Sequence, residues 1–254
     1  MLASRMTERT SLLNVPLDVA DQDAAMQKTA HLISQDQHAQ ILLLTLRGLL
    51  RARRDTDFAT CVRDAALILP VARVIERGFR LLGGGAIPRY VPFDLVIKFL
   101  GLAERQGNSV YLLGGQKEDL EKAEANLRVS FPGLQFVGRY SAPYPEHVED
   151  DLIMAIRKSS PSLLLVGSGI EGRELWIWRH RSDLGPCLAL WVDDCFEIFS
   201  GRKKPIGRKA YDLGLESLAG LVRRPWRILL VFRHLYFYLL VVIQRPKKRR
   251  HKAS

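Results

Sequence analysis

The sequence predicts an α/β fold of the Rossmann-like kind: a parallel sheet flanked by helices, with a small N-terminal hairpin element and a basic C-terminal helical appendage. Three observations predict it. Apolar runs without polar alternation, at residues 41–44, 109–113, 163–166 and 188–192, have the pattern of strands buried on both faces. Between them lie stretches with helix-spaced apolar residues, at 21–33, 118–131 and 146–158, and such alternation is the signature of βα units. Two of the strands run straight into glycine, as Gly114-Gly115 and Gly167-Ser168-Gly169, where βα turns are expected.

Each element follows in order. Residues 11–18 read as a short strand or hairpin arm, with Asn14 and Pro16 as breakers. A helix over 21–33 leads to the strand at 41–44, and Thr45, Leu46 and Arg47 begin a polar helix start. Residues 51–62 read as one helix and 65–71 as a strand. The stretch 78–101 is the one around which the chain is organised. Gly83, Gly84 and Gly85 give the backbone freedom to turn tightly or to approach a ligand. Arg89 and Asp94 follow, with Pro88 and Pro92 holding the chain out of helix before an apolar helix begins. Asp94 has two accounts: an N-cap, since Asp binds free backbone N–H groups there, or a general base over an anionic ligand.

Beyond it, the strand at 109–113 precedes the helix at 118–131, which Pro132-Gly133 stops. A strand over 134–137, the helix at 146–158 and the strands at 163–166 and 188–192 complete the pattern. Asp193 and Asp194 follow the last of these, at a strand's carboxyl end, where ligand contact and simple capping are both open. The glycine turns suit either a nucleotide phosphate or a plain βα turn, because neither is a full GxGxxG with a distant acid.

Composition bounds the function. The 254 residues suffice for one α/β domain, at 1–221, with an appendage at 222–254, and not for two large domains. Three cysteines without CxxC spacing suggest a reducing compartment, with neither a disulfide framework nor a zinc site. The N-terminus lacks an apolar signal-peptide core, so the cytoplasm is the default. Of the net charge of +11, ten charges lie beyond residue 222, where no Asp or Glu occurs. That is a basic tail on a near-neutral body, which argues against a nucleic-acid-binding face. Asp55 and Asp57 form a DxD that reads as a metal-holding pair or, on a charged helix, a solvated face. The histidines have no metal-ligand spacing, no catalytic triad can be argued, and no cofactor is expected.

The tail carries an apolar stretch at 228–243, interrupted by Arg233 and His234 and followed by basic residues at 245–252. It is short for a span, which takes about 20 residues. The basic flanks with Tyr236 and Tyr238 suit a helix lying on an anionic membrane. Folding back onto the domain or between subunits, as in a homo-oligomer, and a short transmembrane anchor are the other accounts.

A collinear set of segments carries a resemblance along residues 12–233. It comprises Thr45 followed by Ala52-Arg53-Arg54-Asp55; Arg89 and Asp94 within 84–95; VYLLGG at 110–115; Phe131-Pro132-Gly133-Leu134; and PSLLLVGSG at 161–169. It continues with Glu174-Leu175-Trp176-Ile177, Ser200-Gly201-Arg202, Lys204-Pro205, Gly214-Leu215-Glu216 and Arg223-Arg224-Pro225-Trp226-Arg227. The chain thereby resembles the WecG/TagA/CpsF glycosyltransferases, glycosyltransferase family 26. The resemblance implies transfer of an N-acetylhexosamine, N-acetylmannosamine-type, from a UDP-sugar to a polyprenyl-diphosphate-linked sugar, for cell-surface polysaccharide synthesis at the cytoplasmic face of the inner membrane. It implies Asp94 as general base and Thr45 as a substrate-holding group. It also implies nucleotide or substrate contacts from Arg47, Arg89, Gly114, Gly115, Gly167, Gly169, Arg173, Glu174 and Asp194, and from Arg223, Arg224 and Arg227 of the appendage. Departing UDP carries negative charge, which arginines and glycine-loop amides would stabilise.

The sequence departs from the family pattern at four places. Arg47 stands where an asparagine is usual, and proline-aspartate-glycine reads Pro70-Val71-Ala72. The glycine-x-proline-lysine-glutamine-glutamate segment reads Gly169 to Glu174, with Arg173 for glutamine, and arginine-alanine-proline reads Lys203-Lys204-Pro205. These leave a second reading, a catalytically silent protein of transferase fold that binds nucleotide or a partner at the membrane.

Overall fold

The computed structural model describes residues 7–205 and 229–251. Strands β1 (Glu8–Leu12) and β2 (Val15–Val19) pair antiparallel around Leu13 and Asn14, whose φ angles are 54° and 65°. A two-residue turn with both φ positive matches the twist of its strands, so residues 11–18 make a hairpin and not a lone strand. The hairpin is tied down by the buried Asp18, whose Oδ2 accepts from Ile68 N at 2.7 Å. Arg9 donates to the same carboxylate at 2.8 and 3.0 Å and to the carbonyl of Ala65 at 2.8 Å.

The main sheet contains β3 (Ala39–Leu44), β4 (Leu67–Pro70), β5 (Ser109–Leu113), β6 (Gln135–Tyr140), β7 (Leu163–Gly167) and β8 (Leu188–Asp193). Their order is β4-β3-β8-β7-β5-β6 and every pair is parallel. The expected α/β architecture is therefore present. Pro70, which has no N–H to give, ends an edge strand, where that lack is tolerated.

Alternate strand residues serve opposite faces. Ile41, Leu67, Val110, Leu163 and Leu188 point with α1 (Gln22–Ile33), α5 (Pro92–Arg105) and α6 (Lys117–Ser130) into one core. On the other face, Leu42, Leu44 and Ile68 pack with α2 (Leu46–Ala52), α3 (Thr56–Asp64) and α4 (Arg73–Leu81). Leu113, Leu164 and Val166 pack there with α7 (Glu149–Ser159) and α8 (Glu174–Arg179). The short α9 (Cys195–Phe199) follows β8, and α10 (Leu229–His251) closes the described chain.

The single helix expected over 51–62 is two. Asp55 divides them: its Oδ1 accepts from Phe58 N at 3.0 Å, capping α3, and its Oδ2 from Arg51 Nε at 2.9 Å. Asp57 lies 3.5 Å from Arg179. The Asp55–Asp57 pair thus caps a helix and meets a surface arginine. Among the described residues no group of three or more His, Cys, Asp or Glu is placed to hold a metal ion.

The glycine triplet ends α4. Gly83, at φ 79°, and Gly84 donate to the carbonyls of Arg80 and Phe79, each at 3.0 Å. Gly78 has a different role. A Cβ there would stand 2.4 Å from the ring of Phe237, so only glycine lets α10 approach α4 this closely.

Asp18 offers a test of the hairpin's attachment. Asp18→Ala leaves the Ile68 N–H and the Arg9 guanidinium without their acceptor, and lowers stability by about 2–4 kcal/mol. The readout is a lower urea midpoint with unchanged slope; a midpoint equal to wild type would mean the hairpin is held by apolar packing alone.

Candidate active site

In a parallel sheet, ligands sit outside the strands' carboxyl ends, where neighbouring connections diverge to opposite faces. Here that divergence falls between β3 and β8. The chain leaves β3 into α2 and α3 on one face and leaves β8 into α9, whose Cys195 and Phe196 join the opposite core. The crevice so opened is a cavity of about 370 Å³, ample for a small ligand. The ends of β3, β4 and β8, the start of α5, the segment 203–205 and the α10 residues Arg233 and His234 enclose it.

Of the residues expected at a site, the structure brings together Thr45, Arg47, Asp94, Arg173 and Asp194. Asp193, for which the sequence leaves ligand contact open, lines the cavity too, and the structure adds Lys203, Lys204, Arg233 and His234. Arg89 is half-buried in the segment before α5, outside the lining. Glu174 also lies outside it; its carbonyl accepts from Gln40 Nε2 at 3.0 Å. Arg223, Arg224 and Arg227 fall outside the described residues.

Gly114, Gly115, Gly167 and Gly169 do not line the cavity, and each has a packing reason. A Cβ on Gly114 would meet the Gly167 backbone at 2.9 Å, and one on Gly167 the ring of Phe196 at 2.5 Å. A Cβ on Gly169 would lie 3.0 Å from Ala142. Gly115, at φ 72°, donates to the carbonyl of Ser168 at 2.7 Å. These glycines join neighbouring βα turns to one another, and their space is filled by protein.

Asp94 is the third residue of α5; the N-cap is Val91, with no side-chain capping bond. The capping account of Asp94 is thereby corrected. Pro92 opens the helix and puts the Asp94 carboxylate in the first turn, where the helix dipole favours a negative charge, at the cavity wall. Thr45 caps α2 through Oγ1, which accepts from Gly48 N at 3.1 Å, and remains exposed to the cavity.

Arg173 is the strained member. Its φ of 58° and ψ of −119° lie where side chains are disfavoured, at a cost of about 1–3 kcal/mol. Its guanidinium stands 5.1 Å from the Trp191 ring and 3.8 Å from Asp193 Oδ1. Trp191 Nε1 and Arg173 Nε are both buried without a hydrogen-bond partner among the described residues, and the nearest carboxylate to Arg173 Nε is that of Glu174, at 3.9 Å. Buried donors are almost always satisfied, so these two are suited to an incoming acceptor.

The far wall is tied to the core. Arg202 meets the buried Asp119 at 2.6 Å and Glu197 at 3.4 Å. Ser200 Oγ donates to Asp119 at 2.9 Å and Ser168 Oγ to Glu197 at 2.8 Å. Arg202 so anchors the segment that carries Lys203, paired with Asp194, and Lys204 into the cavity. Among the described residues, five Lys or Arg side chains face three carboxylates over an apolar floor of Val71, Val74, Val91 and Val96. Such a surround favours an anion, and the apolar floor strengthens the attraction. Cys61, Cys187 and Cys195 are free, buried, and pushed up by burial to about 12, and Cys195 also lines the cavity.

Arg233 and His234 were visible in the sequence only as interruptions of an apolar run. Two polar residues inside such a run, one turn from Phe237 on the same helix, are the signal that would have found them. Trp191 had none, since a strand tryptophan reads as core.

Residues 10–252 match the Glycosyl transferase WecG/TagA/CpsF family, and the chain belongs to that family. The N-acetylglucosaminyldiphosphoundecaprenol N-acetyl-beta-D-mannosaminyltransferase of Bacillus subtilis (strain 168) is 24% identical over 199 residues, covering 78% of this chain and 76% of that protein. The protein is accordingly a glycosyltransferase, of the kind that moves a hexosyl group.

The backbone of Arg173 separates strain from charge. Arg173→Gly and Arg173→Ala both remove the guanidinium, but only glycine adopts the backbone angles freely, so the glycine variant is the more stable by about 1 kcal/mol. Equal melting temperatures for the two variants would show that the backbone relaxes when the guanidinium is absent.

Proposed function

We propose that this member of the WecG/TagA/CpsF family moves an N-acetylhexosamine of the N-acetylmannosamine type from a UDP-sugar to a polyprenyl-diphosphate-linked sugar. The observation that carries this reading is the cavity itself, which sets the Asp94 carboxylate among Arg47, Arg173 and Arg233. Asp94 takes the proton of the acceptor hydroxyl as its oxygen attacks the anomeric carbon. The bond from that carbon to the diphosphate oxygen breaks, and UDP leaves with the electron pair. The arginines and Lys204 compensate the charge that develops on it, without reorganisation at the moment of transfer. Thr45, already fixed by its cap, holds substrate from the β3 side. The acceptor class is supported by the name of the Bacillus subtilis relative, which specifies a diphosphoundecaprenol-linked N-acetylglucosamine.

The place of action we assign is the cytoplasmic face of the inner membrane, with residues 222–254 as an appendage held against it. No helix among the described residues is long and apolar enough to cross a membrane. Yet α10 has two apolar sides. Phe237 and Val241 are buried against the domain, whereas Phe232, Leu235, Leu239, Val242 and Ile243 are exposed. An outward apolar face followed by the basic run at 245–252 suits an anionic lipid surface, each basic residue adding about 1 kcal/mol. A second copy of the chain is the other occupant that such a face admits.

The catalytically silent reading has one observation in its favour. Val71 and Ala72 line the cavity where the family pattern carries an acid and a glycine. Two measurements separate the readings. UDP, and not ADP or GDP, raises the melting temperature of the protein; no shift with any of the three would favour the silent reading. Asp94→Asn keeps that shift but loses transfer from UDP-N-acetylmannosamine by about 10²–10⁴-fold. Wild-type turnover in that variant would remove Asp94 from the mechanism.

A further inference from the structure

A second pocket, of about 330 Å³, opens beside the cavity between α2 and α10. Arg47, Arg51 and Arg54 enter it from one side, and Phe232, Arg233 and Tyr236 from the other. Arg47 and Arg51 stand one turn apart on the same face of α2, and Arg54 follows in the turn just after that helix ends. No carboxylate lines the pocket among the described residues. Arg51 shares its charge with Asp55, outside the lining, at 2.9 Å, and Arg54 stands 5.0 Å from the Tyr236 ring. The guanidinium groups of Arg47, Arg54 and Arg233, which no carboxylate of this lining meets, repel one another until an anion enters. Two of them, Arg47 and Arg233, also line the larger cavity, so an anion here lies next to the transfer site.

The rim supplies the second half of the argument. From Phe232 the exposed residues Leu235, Leu239 and Val242 follow at intervals of three, four and three, a single apolar stripe along α10. A phosphate group alone would leave that stripe unused, and a plain hydrocarbon would leave the guanidinium charges of Arg47, Arg54 and Arg233 without an anion. The chemistry that satisfies both is a phosphate ester on a long hydrocarbon. A prenyl diphosphate and a membrane phospholipid both have that form. The continuity with the transfer cavity, where the acceptor hydroxyl must arrive, favours the former.

We infer that the α2–α10 pocket binds the diphosphate of the prenyl-linked acceptor, with its chain lying along the α10 stripe. This rests on the transferase reading above and names the place where its lipid substrate is held. Arg51 and Arg54 are binding residues by this account, with no part in the bond-making step.

Farnesyl diphosphate, below its micelle concentration, is the probe, with the full chain and isothermal calorimetry as readout. It binds at least about tenfold more tightly than inorganic diphosphate or farnesol, because each of those satisfies half of the site. The double variant Arg51→Gln/Arg54→Gln weakens farnesyl diphosphate binding by about tenfold or more and leaves the melting shift produced by UDP unchanged. Because Arg51 also pairs with Asp55, Arg54→Gln alone is the second variant, with a loss of about threefold or more. Wild-type affinity in both variants would overturn the assignment. So would phosphatidylglycerol vesicles that displace farnesyl diphosphate at equal phosphate concentration, since the pocket would then be a membrane headgroup site. A chain that binds farnesyl diphosphate as described but gives no UDP shift would sink the donor reading and leave this one standing.

Discussion

A parallel sheet must have both faces covered, and the site depends on how this chain meets that demand. Because β3 and β8 are neighbours whose following helices cover opposite faces, the chain parts above their carboxyl ends and leaves room there. The opening is thus a by-product of burying apolar strands. What the sequence adds is the charge around it: carboxylates and cations at the ends of elements whose other residues are core.

The crevice acquires its remaining wall from far along the chain. Gly78 leaves a notch on α4, Phe237 fills it, and Val241 packs beside it. One turn before Phe237 on the same helix stand Arg233 and His234, which that seating brings to the cavity. A glycine remote from any substrate therefore determines where a cationic side chain stands. Arg202 plays a comparable part on the opposite wall, where two buried carboxylates hold it and it holds the segment that bears Lys203 and Lys204.

Much of this was legible in the sequence, for physical reasons. The inner strands read clearly because their apolar runs leave no polar face; the start of α5 did not, because Pro92, expected to hold the chain out of helix, is the first residue of α5, where its missing N–H costs nothing. The split at Asp55 was harder, since a residue that caps one helix and pairs with the preceding one looks like part of a single charged helix. The turn glycines invited a ligand reading because a glycine needed for backbone packing and one needed for phosphate approach are identical in sequence. What separates them is the neighbour, and here the neighbours are Phe196, Ala142 and the backbone of the adjacent turn. Arg173 could be named as a substitution, but its unusual backbone angles depend on the loop as a whole.

The seating of α10 also bears on where the chain can be cut. Composition marks a boundary near residue 221, where the basic tail begins, and a shortened chain ending there looks like a tidy globular piece. Phe237 and Val241, however, belong to the same core as Leu49, Phe58 and Phe79. Removing them would uncover an apolar furrow along α4 and strip the cavity of one of its cationic walls. Two side chains of the tail, Phe237 and Val241, are in this sense part of the domain's interior.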